Sequence, residues 1–315
     1  MDSLNNADSP ERGVALIMVL GMVAIIAAWA STAAYEDMIA LKRASNIQDE
    51  VRATMANESA YAFVKFVLME DYKLDPNIDS LDDPWALEQP PLPIDDGMIA
   101  ATIEDANRFY NLNDLVNDNG EVIPDHFTQL QTLFFNLGID QNLVAALADW
   151  MDKNDTPYGA GGAEDSAYYS MDYKIKNARL DNWSELKLIQ GFDAETLAKL
   201  KTCTAVFPSK SGATKVNINT ALPDTLMALF PNMTSIDAET LVSEREQEAF
   251  SSIPAKSTYT WLDGAGHSRL SVTSDTFMLR VHASFGQANV REEFLLSRPG
   301  SNVQLLRRER LGWQL

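Results

Sequence analysis

Twenty-two consecutive residues, Val14 to Tyr35, carry no charged side chain in a chain whose formal net charge is −20. No other feature narrows the possible folds as sharply. At about 1.5 Å of rise per residue, such a helix reaches roughly 33 Å, enough for a bilayer core of about 30 Å. A secretory signal peptide would end its apolar stretch after roughly 7–15 residues, ahead of a small-x-small cleavage site. Here the stretch is longer, and the polar part before it is the 13 residues "MDSLNNADSPERG". A spanning anchor explains this composition, and Gly21 with the scattered alanines would permit close helix contacts.

The helix is expected to run on past the apolar stretch. Neither Gly nor Pro occurs from Trp29 to Asp75. Ile47, Val51, Met55, Ala62, Phe66 and Leu68 recur at helical spacings, with Lys42, Arg43, Asp49, Glu50 and Arg52 between them. Two readings are open: one helix of about 50 residues, half in lipid and half packed on a soluble head, or an anchor joined to a separate amphipathic helix.

Composition removes several function classes. Hydrophobic residues make up 46% of the chain, so disorder is not the default. A pI near 4.4 argues against sequence-independent binding to nucleic acid or anionic lipid, which needs clustered Lys and Arg. The single cysteine, Cys203, excludes an internal disulfide and a Cys-rich zinc site. His126, His267 and His282 lie far apart with no ligand spacing. No P-loop, GxGxxG or GxSxG occurs, so no catalytic apparatus is expected.

Beyond the helix, Pro76, Pro84, Pro90, Pro91 and Pro93 among aspartates predict an irregular connection. The alternation of Met98, Ala100, Thr102 and Glu104 predicts a strand that turns into a helical region. Three short β-like runs, "TFMLRVHASF", "VREEFLLSR" and "VQLLRRERL", close the chain. Strand signals thus flank a helix-rich middle, which predicts a β head (36–105 and 256–315) interrupted by an inserted α-helical domain (106–255). The middle holds a weak repeat: "LFFNLGIDQNLVAALADWM", "LKLIQGFDAETLAKL" and "LMALFPNMTSIDAETLVSER". Each reads as a helix end, a turn and an acidic-capped helix, with Asp193 and Asp237 as N-caps. Helical hairpins of this kind also occur in helix-hairpin-helix DNA-binding modules, so a membrane-anchored DNA-uptake protein is the alternative function. Such modules use Gly-rich turns with basic neighbours, whereas these turns carry Asp140, Asp193 and Asp237.

The most chemical segment is "ADWMDKNDTPYGAGGAEDSAYYSMDYKIKNARL". Asp149, Asp152, Asn154, Asp155, Glu164, Asp165 and Asp172 crowd one Gly-rich loop. Carboxylates so close raise one another's pKa unless a cation neutralises them. Two readings remain, a solvated acidic turn and a site for Ca²⁺, whose preference for oxygen donors matches the loop. The spacing begins like an EF-hand and then fails, with Ala163 at the twelfth position. A glycosidase or aspartyl pair needs two carboxylates fixed in a cleft, which a string of acids in one loop does not supply. Trp150 and the Tyr168–Tyr169 pair are expected to pack around the loop.

The sequence resembles a family at two places. "RG" followed by "VALIMVLGMVAIIA" resembles the class III leader junction of type IV pilins and type II secretion pseudopilins. The resemblance implies a 1–13 leader removed between Gly13 and Val14 by a prepilin peptidase, methylation of the new amine, and a spanning segment at 14–35. Most members carry glutamate at the fifth mature residue, where Met18 stands here, and this departure points to the K-type minor pseudopilin, a tip subunit. The loop is similar to the K-type signature through Asp149, Trp150, Asp152, Gly161, Gly162, Ala163, Glu164, Asp165, Tyr168, Tyr169, Tyr173, Asn177, Ser184, Glu185, Leu186 and Gly191. "RFYNLNDL" and "VNINTA" are further family-like stretches.

The family implies an α+β fold: a pilin-like N-terminal helix on a small antiparallel sheet, with a large inserted all-α domain. It implies structural Ca²⁺ held among Asp149, Asp152, Asn154, Asp155, Glu164, Asp165 and Asn177, with Asn154 replacing a family aspartate. The implied partners are I- and J-type minor pseudopilins, the major pseudopilin, prepilin peptidase, the inner-membrane assembly platform and membrane lipid, with no nucleic acid. The implied location is the bacterial inner membrane, single pass, with the head in the periplasm.

Overall fold

The computed structural model describes residues 10–209, 214–262 and 264–312. Residues 1–9 of the expected leader lie outside the described residues. Helix α1 runs unbroken from Pro10 to Leu74, 65 residues, so the two-helix alternative falls away. Its span is long and apolar enough to cross a membrane, and none of its most apolar window is buried.

The face of α1 that meets the head differs from the expected one. Ala53, Ala56, Val64 and Leu68 are buried against the sheet, with Ala60 and Tyr61 half-buried beside them. Ile47, Val51, Met55 and Phe66 face away, each between 52% and 65% exposed, and Ala62 is exposed as well. Of the expected stripe only Leu68 packs inward. Alanines are the residues that let a helix approach a sheet closely, so the bulkier apolar side chains are left on the outer side.

The head is one antiparallel sheet of five strands. Strands β1 (Leu92–Ile94) and β2 (Gly97–Asp105) form a hairpin. β1 arises within the connection expected to be irregular, and all three of its residues are exposed. Between β2 and the next sheet strand the chain makes the insertion. Its elements are β3 (Tyr110–Asn111), α2 (Pro124–Asn136), α3 (Leu143–Met151), α4 (Ala194–Leu200), β4 (Thr204–Ala205), β5 (Val216–Asn217), α5 (Pro223–Leu229), α6 (Ser235–Gln247) and β6 (Leu270–Ser271). The sheet then resumes with β7 (Thr276–Phe285), β8 (Ala288–Ser297) and β9 (Gln304–Arg310), in the spatial order β1-β2-β7-β8-β9. Alternation puts Phe277, Leu279, Val281, Ala283 and Phe285 of β7 on the α1 side. Tyr61 of α1 stacks on Phe294 of β8 with centroids 5.1 Å apart.

The insertion has its own core, which includes Tyr110, Leu130, Phe134, Leu147, Leu226 and Leu241. Trp261, Leu262 and Leu270 belong to it too, so the helical domain continues past the expected boundary at 255 and the sheet resumes only at Thr276. A small third cluster, including Phe109, Phe207, Met278 and Leu295, seats the insertion on the sheet face opposite α1.

A buried polar network fastens the junction. Arg298 donates to Asp71 at 2.9 Å and also to Asp79. Asp79 accepts the Ser274 amide at 2.7 Å, and the Ser274 hydroxyl donates to Asp105 at 2.6 Å. Thr220 donates to the same oxygen of Asp105. The chain enters the insertion at Asp105 and leaves it at Ser274, beside the last turn of α1. The insertion therefore sits at the end of the head farthest from the apolar stretch. At the near end, Arg52 pairs with Asp96 in the β1–β2 turn at 2.9 Å.

Candidate metal centre and assembly face

The last turn of α3 delivers Asp149, and Asp152 caps that helix. Asp149 is fully buried, and its two oxygens accept the backbone amides of Tyr158 at 2.7 Å and Ala163 at 2.6 Å. It closes the loop upon itself. A Cβ on Gly162 would lie 2.6 Å from Asp149 Oδ2, so the close approach requires glycine.

Asp152, Glu164 and Asn177 present a different situation. Asp152 Oδ1 accepts the Asn154 amide at 3.1 Å, while Oδ2 is buried with no donor among the described residues. Both carboxylate oxygens of Glu164 are buried with no donor among the described residues, as is Asn177 Oδ1. Asn177 adopts φ 49° and its amide reaches Asp155 at 3.4 Å. Unsatisfied buried acceptors are costly. Burial, reinforced by Asp149, Asp152, Asp155 and Asp165, pushes the Glu164 carboxyl up to about 7. Burial, together with Asp149 and Asp155, raises Asp152 to about 6. These four oxygens have no donor among the described residues and lie in a field of like charge, and hard oxygens of this kind are the ligands that Ca²⁺ takes.

Of the other expected ligands, Asn154 and Asp165 are exposed. The Asn154 carbonyl accepts the Thr156 amide at 2.9 Å, and Asp165 opens a 3₁₀ turn. Behind the loop, Trp150, Tyr168 and Tyr173 form a ring cluster with centroids 5.5–6.3 Å apart. Tyr169 departs from the expected packing. It is 95% exposed, because the 3₁₀ turn commits only one of two adjacent tyrosines to the inside.

Among the described residues, the acids brought within 4.8 Å of one another are Asp71, Asp79 and Asp83, outside this loop. Arg298 already sits among them, so that cluster holds its own counter-charge. Sequence reasoning missed this grouping, since the residues are scattered over the chain without a motif.

The hairpin turns use their acids on backbone. Asp140 accepts the Asn142 amide at 3.0 Å, and Asp193 caps α4 by accepting the Thr196 amide at 2.8 Å. Asp237 is not an N-cap. Thr234 caps α6, and Asp237 sits three residues inside it and returns a bond to the Thr234 amide at 2.8 Å, a reciprocal capping box.

The expected processing residues, Gly13 and Val14, lie exposed on α1, and none of the described residues comes within 4 Å of where a Gly13 Cβ would be. Met18 is exposed on the apolar stretch. Farther along, the outward stripe Ile47–Val51–Met55–Phe66 continues the apolar surface past the spanning segment.

A long, partly unburied N-terminal helix on an antiparallel sheet defines a pilin-like subunit, and the helical insertion with its acidic loop narrows this to a pseudopilin. Two family models, both described as type II secretion system protein K, match residues 108–209 and 216–273, within the insertion. The chain is 29% identical to the type II secretion system protein K of Klebsiella pneumoniae over 316 residues, covering 95% of this chain and 96% of that one. It is also 29% identical to the protein K of Aeromonas hydrophila, over 325 residues and the same shares. A crystal structure of the GspK-GspI-GspJ complex from enterotoxigenic Escherichia coli holds a chain of the same fold. The TM-score is 0.67 at 22% identity, covering 86% of this chain and 100% of that one. The chain belongs to the type II secretion system protein K family.

Proposed function

We propose that this chain caps the tip of a periplasmic pseudopilus, the filament that a type II secretion machine uses to export folded proteins across the outer membrane. The position of the insertion carries this reading. It extends from the pole of the head opposite the apolar stretch, so its bulk can end a filament and would obstruct a subunit wound ahead of it.

In this reading Val14–Tyr35 holds the subunit in the inner membrane with the head in the periplasm. Prepilin peptidase frees the helix by cutting after Gly13, and the Val14 amine is methylated. Met18 stands where other subunits carry a glutamate to pair with a neighbour's amine, a pairing unneeded by the foremost subunit. The stripe Ile47–Val51–Met55–Phe66 then packs on sister helices. At about 25 cal/mol per Å², a few hundred Å² of apolar face supplies several kcal/mol before the entropic cost of association. I- and J-type minor pseudopilins, with which the Escherichia coli protein is complexed, are the docking partners, followed by the major pseudopilin and the assembly platform.

Asp152, Asp155, Glu164 and Asn177 would hold Ca²⁺, with Asp149 shaping the loop around them. Bound there, the ion supplies positive charge that offsets the carboxylates and pins the 152–177 loop to α3.

Co-expression of the full chain with the I- and J-type subunits of the same organism tests the reading. Detergent extraction and size-exclusion chromatography should recover the three together. Recovery of this chain alone, beside an intact I–J pair, contradicts it.

A further inference from the structure

We propose that the notch between the insertion and the outer face of the sheet is a docking site for an acidic peptide segment of a partner protein, bearing a large apolar side chain. The notch is a cavity of about 180 Å³. That is below the roughly 300–1,000 Å³ of small-molecule pockets and suits individual side chains of an extended peptide. Phe109, Phe207, Met278 and Leu295, all buried, contribute its apolar floor. Trp183 forms the lip, held in place by its indole N–H donating to Thr204 Oγ1 at 3.1 Å.

Charge decides what the notch accepts. Glu293 and Glu309 line one wall, but Arg280 holds the first at 3.0 Å and Arg307 the second at 2.9 Å. Arg307 is further committed to the carbonyls of Asp181 at 2.8 Å and Val206 at 3.1 Å, which tie β9 to the insertion. Lys187 and Lys201, from separate elements of the insertion, also line the notch, and both are exposed. Neither has an ion-pair partner among the described residues. In a chain of net charge −20, these two cations beside an apolar floor give the notch a local positive character. They complement carboxylates flanking a buried aromatic or aliphatic anchor.

The test uses the full chain in detergent micelles and a blocked peptide, acetyl-Glu-Phe-Asp-Leu-Glu-amide, with a control in which lysines replace the acids. Titration calorimetry should show saturable binding of the acidic peptide and none of the basic one. Because both lysines are exposed, the double variant K187E/K201E should keep its melting midpoint, lose the acidic peptide by about tenfold or more, and gain the basic one. Equal binding of the two peptides, unchanged affinity in the double variant, or no binding of the acidic peptide at millimolar concentration would overturn the proposal.

Discussion

The guanidinium of Arg298 donates to Asp71 at 2.9 Å, tying the residue that follows β8 to the last turn of α1 across 227 residues of sequence. Both partners are buried, and the other arm of Arg298 holds Asp79. Removing one partner of a buried ion pair strands the other, at a cost of about 3–5 kcal/mol. R298M should therefore lower the unfolding free energy by that order in a urea titration. R298K should recover only part of the loss, because lysine lacks the fork that bridges two carboxylates. A midpoint unchanged in both variants would show the network to be decorative.

Calcium should raise the thermal midpoint of the full chain, and a chelator should reverse the effect. A ligand at 100 times its dissociation constant adds about 2.7 kcal/mol to the folded state. E164Q and D152N should each abolish the shift while leaving the metal-free midpoint level with or above that of the parent, since each removes a strained buried charge. Elemental analysis of the purified protein with no calcium, together with an unmoved midpoint, would remove the ion.

The same carboxyls set a pH dependence whose sign can be worked out. Burial raises Glu164 to about 7 and Asp152 to about 6 in the folded chain, above their ordinary values. The folded state therefore binds protons more tightly than the unfolded one, and the metal-free protein should gain stability as pH falls from about 7.5 to 5. Asp71 and Asp105, each raised to about 6 mainly by burial, act in the same direction. Calcium must displace the protons of Glu164 and Asp152, so its affinity should weaken over the same range. Calorimetry at three pH values checks both slopes, and a calcium affinity that rose on acidification would contradict the assignment.

On α1, charge on the outward stripe should separate stability from assembly. M55D and F66D alter exposed positions and should leave the midpoint within about 0.5 kcal/mol of the parent, while weakening co-purification with the I- and J-type subunits. L68D, at a fully buried position, should unfold the head. Full complex formation by M55D and F66D would move the interface elsewhere.

Much of this architecture is readable from local pattern. The period of two in 276–285 and 290–298 gives β7 and β8, and the absence of breakers from Trp29 to Asp75 gives the unbroken helix. The contact face of α1 is not readable by ranking hydrophobicity, since Ala53 and Ala56 go inward while Met55 and Phe66 stay outside. Nor is β1, three residues with Pro93 at their centre that exist as a strand only because β2 offers an edge. In the loop, sequence gathers the acids, but only folding separates Asp149, spent on two amides, from Glu164, left without donors. Arg298 carries no local signal at all, because its partners come from distant segments.

The most direct measurement is the intact mass of the natural protein extracted from membranes, compared with a G13L variant. Among the described residues nothing lies within 4 Å of a side chain at that position, so the substitution should leave the fold intact while blocking the cut. The expected parent mass lacks residues 1–13 and carries one added methyl group, and G13L keeps Met1 or Asp2 as its first residue. A parent protein still bearing its first 13 residues, or one that has lost the whole apolar stretch through Tyr35, would contradict a helix kept for both membrane and filament.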